Sequence, residues 1–259
     1  MKQQFKNPGP NKVQRWPPYP PVEEPADREK VWRYMDFTKF MWLIDQSALY
    51  FPRTDTFLDK WEGAYPKQNS ITHLGLYKDN GQDRIINLRK RSSTFYFISC
   101  WHLSEHESAA MWDLYKKADV GIGIQSTYKR LKDSIRDEFL TEPMYFTKVK
   151  YIDYENERFE GPLPELGALI PLFHKRKSYE HEKELRIVTS NFLSDDPNKY
   201  VDSPPGISFP VDLQTLLQGV YISPNAGRWF KELVESVLRK YELVDVPVHQ
   251  TELDNEPIY

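Results

Sequence analysis

Between Glu180 and Arg186 every second residue is charged, in the run Glu180-His181-Glu182-Lys183-Glu184-Leu185-Arg186, and the β-branched Ile187, Val188 and Thr189 follow directly. β-Branched residues favour extended backbone, and in an extended chain successive side chains point to opposite faces. Glu180, Glu182, Glu184 and Arg186 then share one face, with Leu185 and Ile187 on the other. Adjacent like charges repel. A strand carrying this row therefore needs a cationic partner, open water or a chemical use. One outcome is a solvated strand edge with Arg186 as internal counter-ion; the other is a site.

The rest of the chain bounds both outcomes. Its 259 residues suit one large domain with an appendage, and a 39% hydrophobic and 14% aromatic content is enough for a true core. The net charge of −3 gives no global basic field, so nucleic acid is not the default partner. Local basic clusters stand at Arg89-Lys90-Arg91 and Lys175-Arg176-Lys177. Cys100 is the only cysteine. An intramolecular disulfide and a thiolate-type zinc site are both excluded, and a reducing cytoplasm is the expected location. No apolar run approaches the roughly 18 residues a membrane span needs, and no secretory leader is visible, so no membrane partner is expected.

Residues 1–28 hold seven prolines together with Trp16 and Tyr19, and read as an extended, proline-rich N-terminal arm. Such an arm is expected either to trail as a leader or to dock on the body or on a second subunit. Residues 29–259 read as a single α+β domain, a mixed sheet with several flanking helices. Strands are expected at Leu49–Phe51, Thr94–Cys100, Val120–Gln125, Lys148–Tyr154, Leu185–Ser190, Gly219–Ser223 and Val246–Thr251. Helices are expected at Asp36–Ala48, Ser104–Ala118, Tyr128–Phe139, Leu166–His174 and Asn225–Tyr241. In the second of these, Ser104 and Glu107 have capping-box spacing, and Met111, Leu114, Tyr115 and Ala118 form the apolar side. In the last, Trp229, Leu233, Val237 and Leu238 are expected inward. Without a regular βαβ alternation, α+β fits better than a doubly wound sheet.

Gly121-Ile122-Gly123 lacks the third glycine of a dinucleotide loop. His102 and His106 have metal-ligand spacing for a helix, but Ser104 reads as the cap, which leaves His102 ahead of it. No metal is expected.

Three blocks resemble an uncharacterised bacterial family, domain of unknown function family 2971. They are Ile98-Ser99-Cys100-Trp101, then Met111-Trp112-Asp113-Leu114-Tyr115 with Val120–Ile124, then Tyr179–Arg186. Trp101-His102 stands where the family usually has Phe-Ser after the cysteine. The resemblance covers roughly residues 30–250. It implies a cytosolic protein of bacterial or phage origin with a place in conflict systems such as antiviral defence.

The order of three shorter pieces is also similar to ADP-ribosyltransferases: Trp32-Arg33-Tyr34, then Thr94–Ser99, then Glu182-Lys183-Glu184. That similarity implies NAD as substrate. Glu184, Glu182 and Ser99 would then be catalytic, with Glu184 nearest the ribose, and Arg33, Tyr34, Trp112, Tyr115 and Arg186 would contact NAD. Two alternatives stay open. One is a metal-independent RNase using His102, His181 or Glu184 as acid or base. The other is a non-enzymatic sensor whose aromatic groove binds nucleotide or protein. Expected partners are a protein or nucleic-acid target, and a second copy or a complex held through the arm.

Overall fold

The computed structural model describes residues 22–75, 82–83, 86–87, 93–115, 120–136, 143–160, 169–190 and 204–254. In chain order these begin with β1 (Lys30–Asp36), α1 (Phe37–Gln46), β2 (Ala48–Pro52), α2 (Lys67–Gly75), β3 (Tyr96–Leu103) and α3 (Ala109–Tyr115). Next come β4 (Gly121–Thr127), α4 (Tyr128–Ser134), β5 (Met144–Lys148), β6 (Lys150–Ile152), β7 (His174–Arg176) and β8 (Glu184–Ser190). The chain continues through β9 (Gly206–Pro210), α5 (Leu213–Leu216), β10 (Gly219–Ile222), α6 (Arg228–Lys240) and β11 (Val248–Gln250). Seven strands form one mixed sheet in the order β11-β10-β4-β1-β3-β8-β5, antiparallel throughout except for the β10–β11 pair. With the flanking helices this is an α+β architecture. Among the described residues no helix is long and apolar enough to cross a membrane.

The sheet forks at its centre. β1 pairs with β4 over all seven of its residues, and β3 pairs with β8 over seven. Between β1 and β3 the register is confined to Val31↔Leu103 and Trp32↔His102. On the far side of the fork β2 comes in, with a bridge from Arg53 to Phe97 of β3. Strand alternation sorts β2 cleanly. Leu49 and Phe51 are fully buried in the core, while Ala48, Tyr50 and Pro52 face the opening. Asp36 at the end of β1 caps α1 by accepting from the Lys39 amide at 2.9 Å, so the chain turns out of the sheet at the fork.

Several elements differ from the sequence reading. The Ser104–Ala118 helix starts only at Ala109, because the capping box does not form. The Glu107 carboxylate instead accepts from Trp112 Nε1 (3.1 Å), Thr251 Oγ1 (2.7 Å) and the Glu252 amide (2.9 Å). Trp112 is therefore the inward side chain with Met111, while Leu114 and Tyr115 are exposed; Ala118 lies outside the described residues. In α6, Phe230, Val234, Val237 and Leu238 are buried at helical spacing, and Trp229 is 61% exposed with Leu233 also outward. Of the Lys148–Tyr154 strand only Lys150–Ile152 is extended as β6, and Lys148 is the last residue of β5, which begins ahead of it at Met144; the two strands pair with different neighbours, β8 and β7. Of Leu166–His174, only Ile170–Phe173 forms a short 3-10 turn; residues 166–168 lie outside the described residues.

Trp16 and Tyr19 of the arm also lie outside the described residues. The arm's described end covers the free edge of β5. The Glu23 amide donates to Thr147 Oγ1 at 3.2 Å, and the Lys148 amide donates to the Glu23 carbonyl at 2.7 Å. Backbone groups that an edge strand would otherwise leave unpaired are satisfied there.

Candidate functional site

The predicted charge row is not a continuous strand. Lys177–Glu182 forms a 3-10 helix, Lys183 takes the left-handed conformation (φ 40°), and β8 starts at Glu184. Only Glu184 and Arg186 share a strand face. Glu182 returns to them from the helix end, and Glu180 and His181 stay exposed. The row does have the cationic partner it needs. Lys175 on β7 places Nζ 2.7 Å from Glu182 Oε2 and 2.5 Å from Glu184 Oε1.

Arg186 supplies the second cation. Its Nε lies 2.6 Å from Glu184 Oε2, its Nη1 and Nη2 lie 2.5 and 3.0 Å from the two Glu62 oxygens, and Nη1 also donates to the Leu172 carbonyl at 2.7 Å. The result is a chain of ion pairs, Glu62–Arg186–Glu184–Lys175–Glu182. Side-chain exposure rises from 0% at Arg186 and 3% at Glu62 to 6%, 11% and 15% at Glu184, Lys175 and Glu182, and every member except Arg186 lines one cavity.

That cavity, of about 900 Å³, opens at the fork of the sheet. Arg33, Tyr34 and Met35 of β1 line one side, and Ile98, Cys100, Trp101 and His102 of β3 the other. Trp42 of α1, Tyr50 of β2, Tyr115 of α3 and Tyr179 also line it, with Lys175 and the carboxylates Asp59, Glu62, Glu182 and Glu184. Arg33 donates to the Tyr50 carbonyl (3.2 Å) and lies 5.7 Å from the Trp101 ring centroid. Among the described residues no carboxylate lies within ion-pair distance of it. Burial lowers its pKa from the usual value, but an arginine stays protonated at neutral pH. The cavity thus offers, among the described residues, a cation without a carboxylate partner together with the carboxylates of Glu182 and Glu184.

The carboxylates are driven apart. Burial alone would raise Glu184, but Arg186, with Lys175 behind it, holds it well below the usual carboxylate range. Burial, and then the neighbouring Glu184 carboxylate, pushes Glu182 up to about 7. The Lys175 ammonium is held above its ordinary value by Glu184 and Glu182 in spite of desolvation. Although Tyr115 is 40% exposed as a residue, desolvation at the cavity pushes its phenol up to about 12; burial raises the Cys100 thiol, so both stay protonated at neutral pH. Burial lowers His102, whose Nδ1 lies 2.6 Å from the Glu182 carbonyl. Because a carbonyl only accepts, Nδ1 carries the proton in that contact.

Of the residues singled out from sequence, Arg33, Tyr34, Tyr115, Glu182 and Glu184 line this one cavity. Three others do not. Ser99 is fully buried, and its Oγ accepts from Trp101 Nε1 at 3.2 Å, because strand alternation sets it opposite Ile98 and Cys100. Trp112 packs behind Tyr34, with ring centroids 4.8 Å apart. Arg186 is sealed beneath Glu184, where it is the counter-ion the sequence reading also allowed. Lys175 and Glu62 were missed as site residues. Lys175 stood out only as part of a basic cluster. Glu62 meets Arg186 across 124 positions, and no local pattern announces such a pair.

Among the described residues no group of three or more His, Cys, Asp or Glu side chains is placed to hold a metal ion. Comparison with protein families and with curated proteins finds no match for this chain.

Proposed function

We propose that the protein is an NAD-consuming, ADP-ribosyltransferase-like effector acting in the cavity at the sheet fork. One observation carries the reading: Arg33, Tyr34, Tyr115, Glu182 and Glu184, from three distant parts of the chain, line the same cavity. When nicotinamide leaves NAD, positive charge develops on the ribose, and a fixed carboxylate in a dry site stabilises that charge. Glu184, kept anionic by Arg186 and Lys175, suits this role. Arg33 supplies the cation a pyrophosphate needs, and the aromatic walls suit flat rings. The cavity lies within the range of small-molecule sites. Ser99, expected from sequence to be catalytic, does not line the cavity, and the hydroxyl available there in this reading is that of Tyr115. The motif order shared with ADP-ribosyltransferases supports NAD as substrate, and the resemblance to the uncharacterised family, which carries no reaction of its own, adds a cytosolic place in a bacterial or phage conflict system.

A second reading, metal-independent RNA cleavage, is favoured by His102 and Glu182 lining one cavity. The two are separated by incubating the protein with NAD labelled in the nicotinamide ring and, in parallel, with labelled RNA. Release of nicotinamide is expected. Intact NAD together with cleaved RNA would replace the first reading with the second. Intact NAD and intact RNA, with no binding of NAD at millimolar concentration, would remove both.

A further inference from the structure

We infer that Glu182 is the group of this cavity that exchanges a proton with the bound molecule, and that Lys175 is its positioning residue. The identity of that molecule rests on the NAD reading; the assignment of roles rests on how the oxygens are partnered.

The chain of ion pairs holds three carboxylates and two cations, so one negative charge is left over in a poorly solvated place. A proton relieves it, and the partners decide where the proton sits. Glu62 has both oxygens on Arg186, at 2.5 and 3.0 Å. Glu184 has Oε2 on Arg186 and Oε1 on Lys175, at 2.6 and 2.5 Å. Glu182 is the end of the chain, and its ion-pair contact uses Oε2 alone, on Lys175 at 2.7 Å. All three carboxylates line the cavity, and Glu182 is the most exposed of them. The groups acting on it are Lys175 of β7 and Glu184 of β8; Tyr115 of α3 lies within its field, and His102 of β3 meets its backbone carbonyl. The histidine and the Tyr115 phenol are uncharged at neutral pH, so the charges that set the proton affinity of Glu182 are Lys175 against Glu184.

The carboxyl pair then has two separate roles. Glu184 is a fixed anion that stays ionised throughout the neutral range. In the NAD reaction the bond from ribose C1′ to the nicotinamide nitrogen breaks, and its electron pair leaves on neutral nicotinamide. A bond forms from C1′ to the oxygen of water or of an acceptor hydroxyl. The proton released from that oxygen passes to the Glu182 carboxylate and from there to solvent. Lys175 contacts both carboxylates and keeps them together. Without it, Glu182 would hold its proton to higher pH and fail as a base.

The test follows the side-chain carboxyl carbons by ¹³C NMR in the unliganded full-length protein, with Glu182→Gln identifying the Glu182 signal. Nicotinamide release is followed against pH in parallel. In the wild type the Glu182 signal should titrate near neutral pH. Lys175→Met should move its midpoint up by about one unit or more, Glu184→Gln should move it down, and Lys175→Arg should restore it. The acid limb of nicotinamide release should move with it, and Glu182→Gln should lower the rate about 10²- to 10⁴-fold. A Glu182 that titrates in the ordinary carboxylate range and ignores these replacements would overturn the inference. So would a Glu182→Gln protein with full activity and an unchanged pH profile. If Lys175→Met does not fold, the Glu184→Gln shift decides alone. If the titrations behave as expected but no nicotinamide is released, the NAD reading fails while the assignment of Glu182 and Lys175 stands.

Discussion

Replacing Arg186 by Met separates the structural part of the charge network from its chemical part. Arg186 is completely buried between Glu62 and Glu184. Removing one partner of a buried pair leaves uncompensated charge, which costs about 3–5 kcal/mol. Here two carboxylates lose a partner, although Lys175 still holds Glu184, so the upper part of that range applies. Against a total stability of about 5–15 kcal/mol this is a large fraction. For a chain of this size it lowers Tm by roughly 10–15 °C. Glu62→Gln alone should cost less, about 2–3 kcal/mol, because the Arg186 charge keeps Glu184 and the Leu172 carbonyl. In the double variant the Glu62 charge is no longer stranded. The loss should therefore fall short of the sum by about 2 kcal/mol or more. Urea unfolding followed by tryptophan fluorescence at pH 7 measures all three. Additivity within about 0.5 kcal/mol would show that the two residues do not interact, and the reasoning about the network would fail.

Three further outcomes are expected. Stability should fall as pH rises from about 5 to 8: Glu182 is raised to about 7 from the usual 4.5, so the native state binds the extra proton over that interval. At about 1.4 kcal/mol per unit, reduced for solvent reaching the carboxyl, the change is roughly 1–3 kcal/mol, and a Glu182→Gln protein with an unchanged slope would contradict it. Glu184, depressed, has the opposite sign: its contribution is present above about pH 4 and lost on acidification. Gly123→Ala should destabilise by about 1–3 kcal/mol, because an added Cβ would sit 3.1 Å from the Trp112 ring; wild-type stability in thermal melts would show that the ring yields freely. Cys100 should react slowly with thiol reagents at pH 7, since burial and the nearby Glu184 carboxylate keep it protonated, and rapid labelling of the native protein would refute this.

Much of the sheet was legible in the sequence because its strands are dense in β-branched and aromatic residues. Tyr96–Leu103 and Gly121–Thr127 lie where the apolar runs place them. What misled was polar chemistry with a remote partner. Ser104 and Glu107 have capping-box spacing, yet Glu107 is recruited by Thr251 and Glu252 from the far end of the chain. In α6, Trp229 and Leu233 are as apolar as the residues that do pack, so composition gave no means of choosing between two faces of one helix. The site was legible only in outline. The motif order brought Arg33, Tyr34, Tyr115, Glu182 and Glu184 forward, but the fork that joins them depends on where β1 stops pairing with β3. Ser99 falls outside the cavity, which the sequence could not show because a strand's inward and outward faces cannot be assigned without its neighbours.

The left-handed turn at Lys183 is the local device on which the site depends. A continuous strand would place Glu180, Glu182 and Glu184 in a row about 7 Å apart, each two residues from the next, and Arg186 would serve only the last. The turn ends that row at Glu184, folds Glu182 back from the 3-10 helix, and lets the single ammonium of Lys175 reach both carboxylates. A non-glycine residue in this conformation costs about 1–2 kcal/mol relative to the right-handed region. The lysine keeps it because its backbone is pinned on both sides: its amide donates to the Glu180 carbonyl at 3.2 Å, and its carbonyl accepts from the Leu103 amide at 2.9 Å. Lys183→Gly should therefore leave stability unchanged or raise it by up to about 1 kcal/mol and preserve the site, since glycine relieves the strain. Lys183→Ile should destabilise by about 1–2 kcal/mol or more, because a β-branched side chain is poorly tolerated there. It should also drive the segment toward the extended row and break the Lys175 bridge, returning the Glu182 titration toward that of an isolated carboxyl. If Lys183→Ile unfolds no more easily than wild type and leaves that titration in place, the turn is not what assembles the carboxyl pair.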